Sequence, residues 1–208
     1  RQRQMCIRDS ELLWSVGTSF ISQLYSERGL DVVAATNISN TISNLFTTAV
    51  FSMGNAAAVL VGQSLGANDM PKARQTAWRL LTFSLFISVA TGIMLSVSSP
   101  FIPRLYDVPL STRQLATRFM LVMSATMPFM AFAHTSYFTL RSGGKTLITF
   151  LFDSVYLWVI SIPVANLLSK GTAWHIILVY GICQFIDIVK CIIGYILLKR
   201  KVWINRIV

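Results

Sequence analysis

Long apolar runs, each closed by a short polar break, constrain this chain more than any other feature. They fall at about 11–27, 31–65, 72–99, 112–141, 146–169 and 173–199. A helix needs roughly 20 mostly apolar residues to cross a bilayer. Six runs of this kind leave almost nothing over for a water-soluble domain. Only 12% of the 208 residues are charged, and 54% are hydrophobic, whereas a soluble domain carries about 25% charged residues. The reading is an all-α polytopic membrane protein with six transmembrane helices.

The breaks carry turn chemistry. Arg28-Gly29 ends the first helix, and Gly66-Ala-Asn-Asp-Met-Pro71 ends the second. Pro71 suits the first turn of the third. Pro100, Pro103 and Pro109 punctuate a longer loop, Ser142-Gly143-Gly144 follows, and Lys170-Gly171 forms the last break. Gly62 and Gly66 make a GxxxG pair, read as close helix packing. Residues 1–10 are charged, lack a period and run straight into the first helix. They read as a non-native or scar segment and are set aside, and the chain reads as starting in the middle of a larger protein.

A net charge of +10 would point to nucleic acid in a soluble protein. Here the Lys and Arg residues sit at the ends of apolar runs, so no nucleic-acid partner is expected; the partner is membrane lipid, whose acidic surface attracts them. Nine of them fall in one set of alternate breaks and five in the other. Cytoplasmic loops carry the excess. This places Gly66–Pro71, Ser142–Gly144 and the tail after Lys199 in the cytoplasm of a multi-pass protein of the inner (plasma) membrane, with both ends inside. Cys6, Cys183 and Cys191 have no metal-ligand spacing with histidine, and read as small apolar fillers.

Asn37, Thr41, Asn44, Thr48, Ser52 and Asn55 recur at intervals of 4, 3, 4, 4 and 3 residues. That spacing puts six polar side chains on one helix face. Such a stripe is costly against lipid, so it faces other helices or water. Ser, Thr and Asn act as membrane glue, but six in a row favours a water-filled cavity. The first helix carries Glu11, Ser15, Thr18 and Ser22 in a similar pattern. Glu11 is either a functional intramembrane carboxylate or a residue complementing the helix dipole.

Asp153 lies inside the fifth run, and Asp187 and Lys190 lie three apart on one face of the sixth. The last two read as a neutralising pair, although Tyr180 and Gln184 on the same face leave a polar path open. Met120, Met123, Met127 and Met130 line the fourth helix, where Pro128 imposes a kink. Methionines suit core packing, but also deformable apolar sites, with Met127 and Met130 as cavity candidates. Gly144-Lys145-Thr146 lacks the upstream glycine and strand of a phosphate-binding loop, and no nucleophile elbow or zinc motif is present. An enzyme is not expected.

The breaks also form a recognisable series. Glu11-Leu-Leu-Trp14-Ser-Val-Gly17 precedes Ala34-Ala-Thr-Asn-Ile38; then come Val61-Gly-Gln-Ser-Leu-Gly-Ala-Asn68, Lys72-Ala-Arg74, Leu140-Arg-Ser-Gly-Gly-Lys-Thr146 and Phe152-Asp153. Together these resemble the carboxy-terminal half of the multidrug and toxic compound extrusion (MATE) family over nearly all of residues 11–208. The resemblance implies a two-lobe antiporter, of which 11–208 is one six-helix lobe and the missing amino-terminal lobe is the partner. It implies export of organic, often cationic, compounds in exchange for protons or sodium, with no cofactor beyond the coupling ion. Glu11 is similar to a seventh-helix acid used for cation coupling. The tenth-helix region, Pro128-Phe-Met-Ala-Phe-Ala-His134, lacks the acid that some members carry. A flippase of lipid-linked oligosaccharides shares the wider architecture and is the first alternative, and a membrane-embedded enzyme is the second.

Overall fold

The computed structural model describes residues 2–144, 146–171, 175–200 and 203, with residues 2–9, 146, 170 and 171 as backbone alone. The described residues form helices and short connections. They are α1 (Gln2–Ser26), α2 (Leu30–Gly66), α3 (Met70–Ser98), a 3-10 turn (Ile102–Leu105), α4 (Leu110–Ser142), α5 (Thr146–Phe150), two π-helical segments (Leu151–Val155 and Leu157–Ser161), α6 (Ile162–Gly171), α7 (Ile176–Phe185) and α8 (Ile188–Lys199). The segment set aside at 1–10 is helical from Gln2 onward and continuous with the first run. Among the described residues, five spans are long and apolar enough to cross a membrane: α2, α3, α4, Leu147–Ser169 and Ile176–Lys199. The expected sixth, α1, has a shorter apolar stretch between Glu11 and Glu27.

Local chemistry explains the breaks. Gly29 has φ 121°, a conformation that a Cβ disfavours. After α2, Asn68 takes φ 59°, which asparagine tolerates better than most residues. Asp69 then accepts the Lys72 backbone N–H at 3.1 Å and caps α3, with Pro71 in its first turn.

Three helices make the centre of the bundle, α2 packing on α3 and α4 and those two on each other. One core cluster includes Ile38, Ile42, Val50, Leu95, Phe119, Met120, Met127 and Tyr180. A second, toward the other end, includes Val61, Leu65, Ala77, Leu81, Leu140, Leu198 and Trp203. Buried hydroxyls stitch the helices together. Ser39 donates to the Ala116 carbonyl at 3.1 Å, and Thr135 to Ser84 at 2.9 Å. Where Pro128 removes the N–H that would bond the Ser124 carbonyl, Gly92 of α3 backs onto that oxygen, and a Cβ there would sit 2.9 Å from it. The GxxxG pair is not a close-packing seam. A Cβ on Gly62 would come no nearer than 4.0 Å to Ser142, and one on Gly66 would meet nothing within 4 Å.

With α1 counted first, Leu147–Ser169 is the fifth span, and α1 is tied to it by Ser10 with Ser154 (2.8 Å), Trp158 with the Leu13 carbonyl (3.1 Å) and Ser169 with the Leu24 carbonyl (3.0 Å). Residue numbers rise together on both sides, so the two run parallel, as a first and a fifth span must. Asp31 and Thr112 meet at one end at 3.0 Å, and Glu11 meets Arg141 at the other. The up-down order makes one prediction. In a cysteine-free background, Asn68→Cys and Asp107→Cys should react with an impermeant thiol reagent from opposite sides of the membrane. Labelling of both from one side would contradict the fold.

Two features depart from simple helices. The fifth span is π-helical at Asp153, where the Tyr156 N–H reaches five residues back to the Leu151 carbonyl. The last run, expected unbroken over 173–199, divides at Ile186-Asp187 into α7 and α8, and residues 173 and 174 lie outside the described residues. Pairing holds the break in place, since the Tyr156 hydroxyl donates to the Ile186 carbonyl at 2.6 Å.

Candidate functional site

The stripe predicted on the second helix is a real face. Asn37, Thr41, Asn44, Thr48, Ser52 and Asn55 are all exposed along α2, opposite its packing against α3 and α4. Residues between them, including Ile38, Ile42 and Val50, turn into the core. The hydroxyls are locally satisfied: Thr41 donates to the Asn37 carbonyl at 2.8 Å, Thr48 to Asn44 at 2.7 Å and Ser52 to Thr48 at 2.8 Å. Such back-bonding is the usual way a helix accommodates Ser and Thr.

The asparagines differ. Among the described residues, the carboxamides of Asn37, Asn44 and Asn55 make no hydrogen bond within the bundle. Each offers two donors and an acceptor. Left unpaired in hydrocarbon, each would cost several kcal/mol. Three of them on one exposed face, over about five turns, call for a partner that can hydrogen-bond.

Glu11 lies at the end of the bundle. Its Oε1 accepts from the Arg141 guanidinium at 2.9 Å, and its side chain is 63% exposed against 22% for Arg141. Arg141 belongs to the last turn of α4 and also lies over the Tyr137 and Phe138 rings, at 5.9 and 5.6 Å. An exposed pair of this kind contributes little to stability, so Glu11 remains free to change partners.

The intramembrane charges come together more closely than their sequence spacing indicates. Lys190 Nζ is 3.6 Å from Asp187 Oδ1, the expected pair, and 3.5 Å from Asp153 Oδ1 of the fifth span. Its side chain is 11% exposed and lies 4.9 Å from the Tyr156 ring centroid. The simple neutralising pair is thus corrected to a triad with two carboxylates and one ammonium. Asp153 sits 37 positions before Lys190, too far for any periodicity to link them.

The methionine stripe divides. Met127 is 2% exposed inside the core, beside Gly92, so it does not line an open surface. Met130 is exposed, as are Phe129 and Tyr195. An open groove of about 420 Å³ at the Pro128 kink is lined by Leu85, Pro128, Phe129, Phe132, Ile188, Cys191, Ile192 and Tyr195. Its lining is almost wholly apolar, as expected of a surface against lipid tails. No group of His, Cys, Asp and Glu side chains among the described residues could hold a metal ion.

Comparison with known proteins agrees with this architecture. The chain is 25% identical over 138 residues to the probable multidrug resistance protein YoeA of Bacillus subtilis (strain 168), covering 65% of this chain and 30% of that protein. It is 24% identical over 145 residues to multidrug and toxin extrusion protein 1 of Homo sapiens, covering 68% and 25%. The chain therefore spans about a third or less of these relatives. A crystal structure of MATE in complex with MaL6 superposes with a TM-score of 0.83 at 14% identity, over 93% of this chain and 44% of that one. A MOP superfamily transporter from Pyrococcus furiosus, described as having reversed binding-pocket polarity that suggests a different function, superposes at 0.80 with 14% identity, over 98% and 44%. At these identities the superpositions establish the fold alone. The sequence also matches the family model MatE over residues 10–167, and on that match the chain belongs to the MatE family of membrane transporters.

Proposed function

We propose that this chain is the carboxy-terminal lobe of a cation-coupled antiporter that exports organic, often cationic, compounds across the plasma membrane. The observation that carries this reading is the exposed α2 face. Its unpaired Asn37, Asn44 and Asn55 carboxamides need a wet partner, and a cleft shared with an amino-terminal lobe supplies one. The names of the relatives support multidrug compounds as substrates. The role of this lobe is binding and movement, with no enzymatic step.

Glu11 is the first candidate for cation coupling. It sits on the helix that bears the second polar stripe, toward the bundle end where the excess of positive charges supports a cytoplasmic side. A proton or sodium ion that takes the carboxylate from Arg141 would loosen α1 from α4. Coupling energies of this sort correspond to changes of roughly 5- to 150-fold.

The test is the complete transporter in proteoliposomes loaded with ethidium. An opposing proton or sodium gradient should accelerate dye movement, and dye should in turn drive the ion. Glu11→Gln should reduce ion movement per dye within that 5- to 150-fold range. Unchanged counter-transport would leave Glu11 as a surface ion pair. Movement of lipid-linked oligosaccharide with no dye export would favour the flippase instead.

A further inference from the structure

The triad of Asp153, Asp187 and Lys190 carries one more negative charge than it can neutralise. Lys190 lies almost equally far from the two carboxylates, at 3.5 and 3.6 Å. One aspartate would suffice to neutralise it. The second is therefore surplus, in a part of the chain where surplus charge is expensive. The nearest other ions do not correct this, since Glu11, within electrostatic reach of Asp153, is already matched by Arg141. Tyr156 and Cys191 alongside are neutral groups.

Partners, not depth, set the triad apart from the Glu11–Arg141 pair, since Ser10 meets Ser154 at 2.8 Å and puts the two groups at one level. Asp153 is seven residues beyond the start of α5, about 10 Å along a helix at 1.5 Å per residue. Lys190 is nine residues before the end of α8, about 13 Å by the same measure. Both positions belong to spans long and apolar enough to cross a hydrocarbon core of roughly 30 Å. The Asp153 and Asp187 side chains nevertheless keep 25% and 39% of their surface exposed. The carboxylates thus keep open surface while the ammonium stays buried.

We propose that this triad is a proton-binding element of the lobe, distinct from Glu11. A proton taken from water adds to a carboxylate oxygen, and the triad passes from one net negative charge to neutrality. The proton belongs to the group of three, because sites this strongly coupled titrate together. A proton fits better than a metal ion. The ammonium already occupies the space between the carboxylates, and a hard cation needs several oxygens converging on it.

The geometry gives the event a mechanical consequence. Asp187 is the N-cap residue of α8 and Lys190 lies in its first turn, whereas Asp153 belongs to the π-helical part of another span. Protonating Asp153 removes the charge that holds Lys190 across the gap, and Lys190 keeps Asp187, three residues away. The contact between α8 and the fifth span then loosens. Both partners are already deformed at this level, by the π segment and by the break at Ile186-Asp187. Such irregularities frequently mark functional sites in helices.

This mechanism rests on the antiport reading, but the binding event can be read without transport. Infrared pH-difference spectra of the purified complete transporter should show a protonated-carboxyl band apart from any that Glu11 itself gives. Asp153→Asn and Asp187→Asn should each abolish it, because each leaves a neutral triad. Glu11→Gln should retain it. The double variant Asp153→Asn with Lys190→Gln should regain it, since one surplus carboxylate is restored. Thermal unfolding run in parallel separates loss of fold from loss of the band, and the double variant provides the readout if a single variant fails to fold. No band in the wild type, or a band that persists in both Asn variants, would overturn the proposal. A normal band in a transporter that exports dye without moving any ion would refute antiport and leave the proton site standing.

Discussion

Expressed without the rest of a transporter, residues 11–208 are expected to insert into the membrane and to export nothing above background. Insertion follows from the helices themselves. Each satisfies its own backbone hydrogen bonds, and five spans among the described residues are long and apolar enough to cross. Export needs more. In alternating access one bundle rocks against another around a site held between them. This chain supplies one bundle, and its polar α2 face is uncovered. Cells producing the fragment should accumulate ethidium to the level of empty-vector cells, whereas the complete transporter should lower it several-fold. Carbonate-resistant membrane association of the fragment would show that the loss is one of function. Robust export by the fragment would point to a homodimer, with two copies of this lobe facing each other across the α2 stripe.

Replacing Asn44 by leucine in the complete transporter should cost export at least about tenfold, the equivalent of ~1.4 kcal/mol, with membrane abundance unchanged. Leucine inserts more readily than a polar residue, and Asn44 lies on the exposed side of α2, so packing against α3 and α4 is untouched. What disappears is one carboxamide on the proposed wall of the cleft. Its neighbours cannot replace it, because the Thr41, Thr48 and Ser52 hydroxyls are engaged with their own helix. Full export by Asn44→Leu would remove the stripe from the substrate path. Export and abundance falling together would make the asparagine a packing residue.

The parts of this account that were legible in the sequence share one property, namely that they are local. Apolar runs and the turn residues Gly29, Asn68, Asp69 and Pro71 locate the breaks, because each acts on its own backbone. The α2 stripe was visible for the same reason, since a period near 3.6 is a statement about a single helix. Contacts between helices were not. Nothing near Asp153 announces Lys190, and nothing near Glu11 announces Arg141, 130 residues away. The first π segment and the Ile186-Asp187 break were also hidden, because no Gly or Pro lies in them and tertiary partners such as Tyr156 hold them, whereas Pro163, which cannot donate to the Val159 carbonyl, follows the second π segment. Met127 and the GxxxG pair show the converse. Both matched a known pattern, but which face a helix turns to its neighbour decided the outcome, burying Met127 and leaving Gly66 without a neighbour.

The claim that the α2 face lines a water-filled substrate path between two lobes is tested most directly by the reactivity of a cysteine at position 44. In a complete, cysteine-free transporter, Asn44→Cys should react with a membrane-impermeant thiol reagent, and saturating dye should slow that reaction several-fold. Modification by a lipid-phase probe alone, with no reaction toward the impermeant reagent and no protection by dye, would place the stripe against acyl chains and contradict the account.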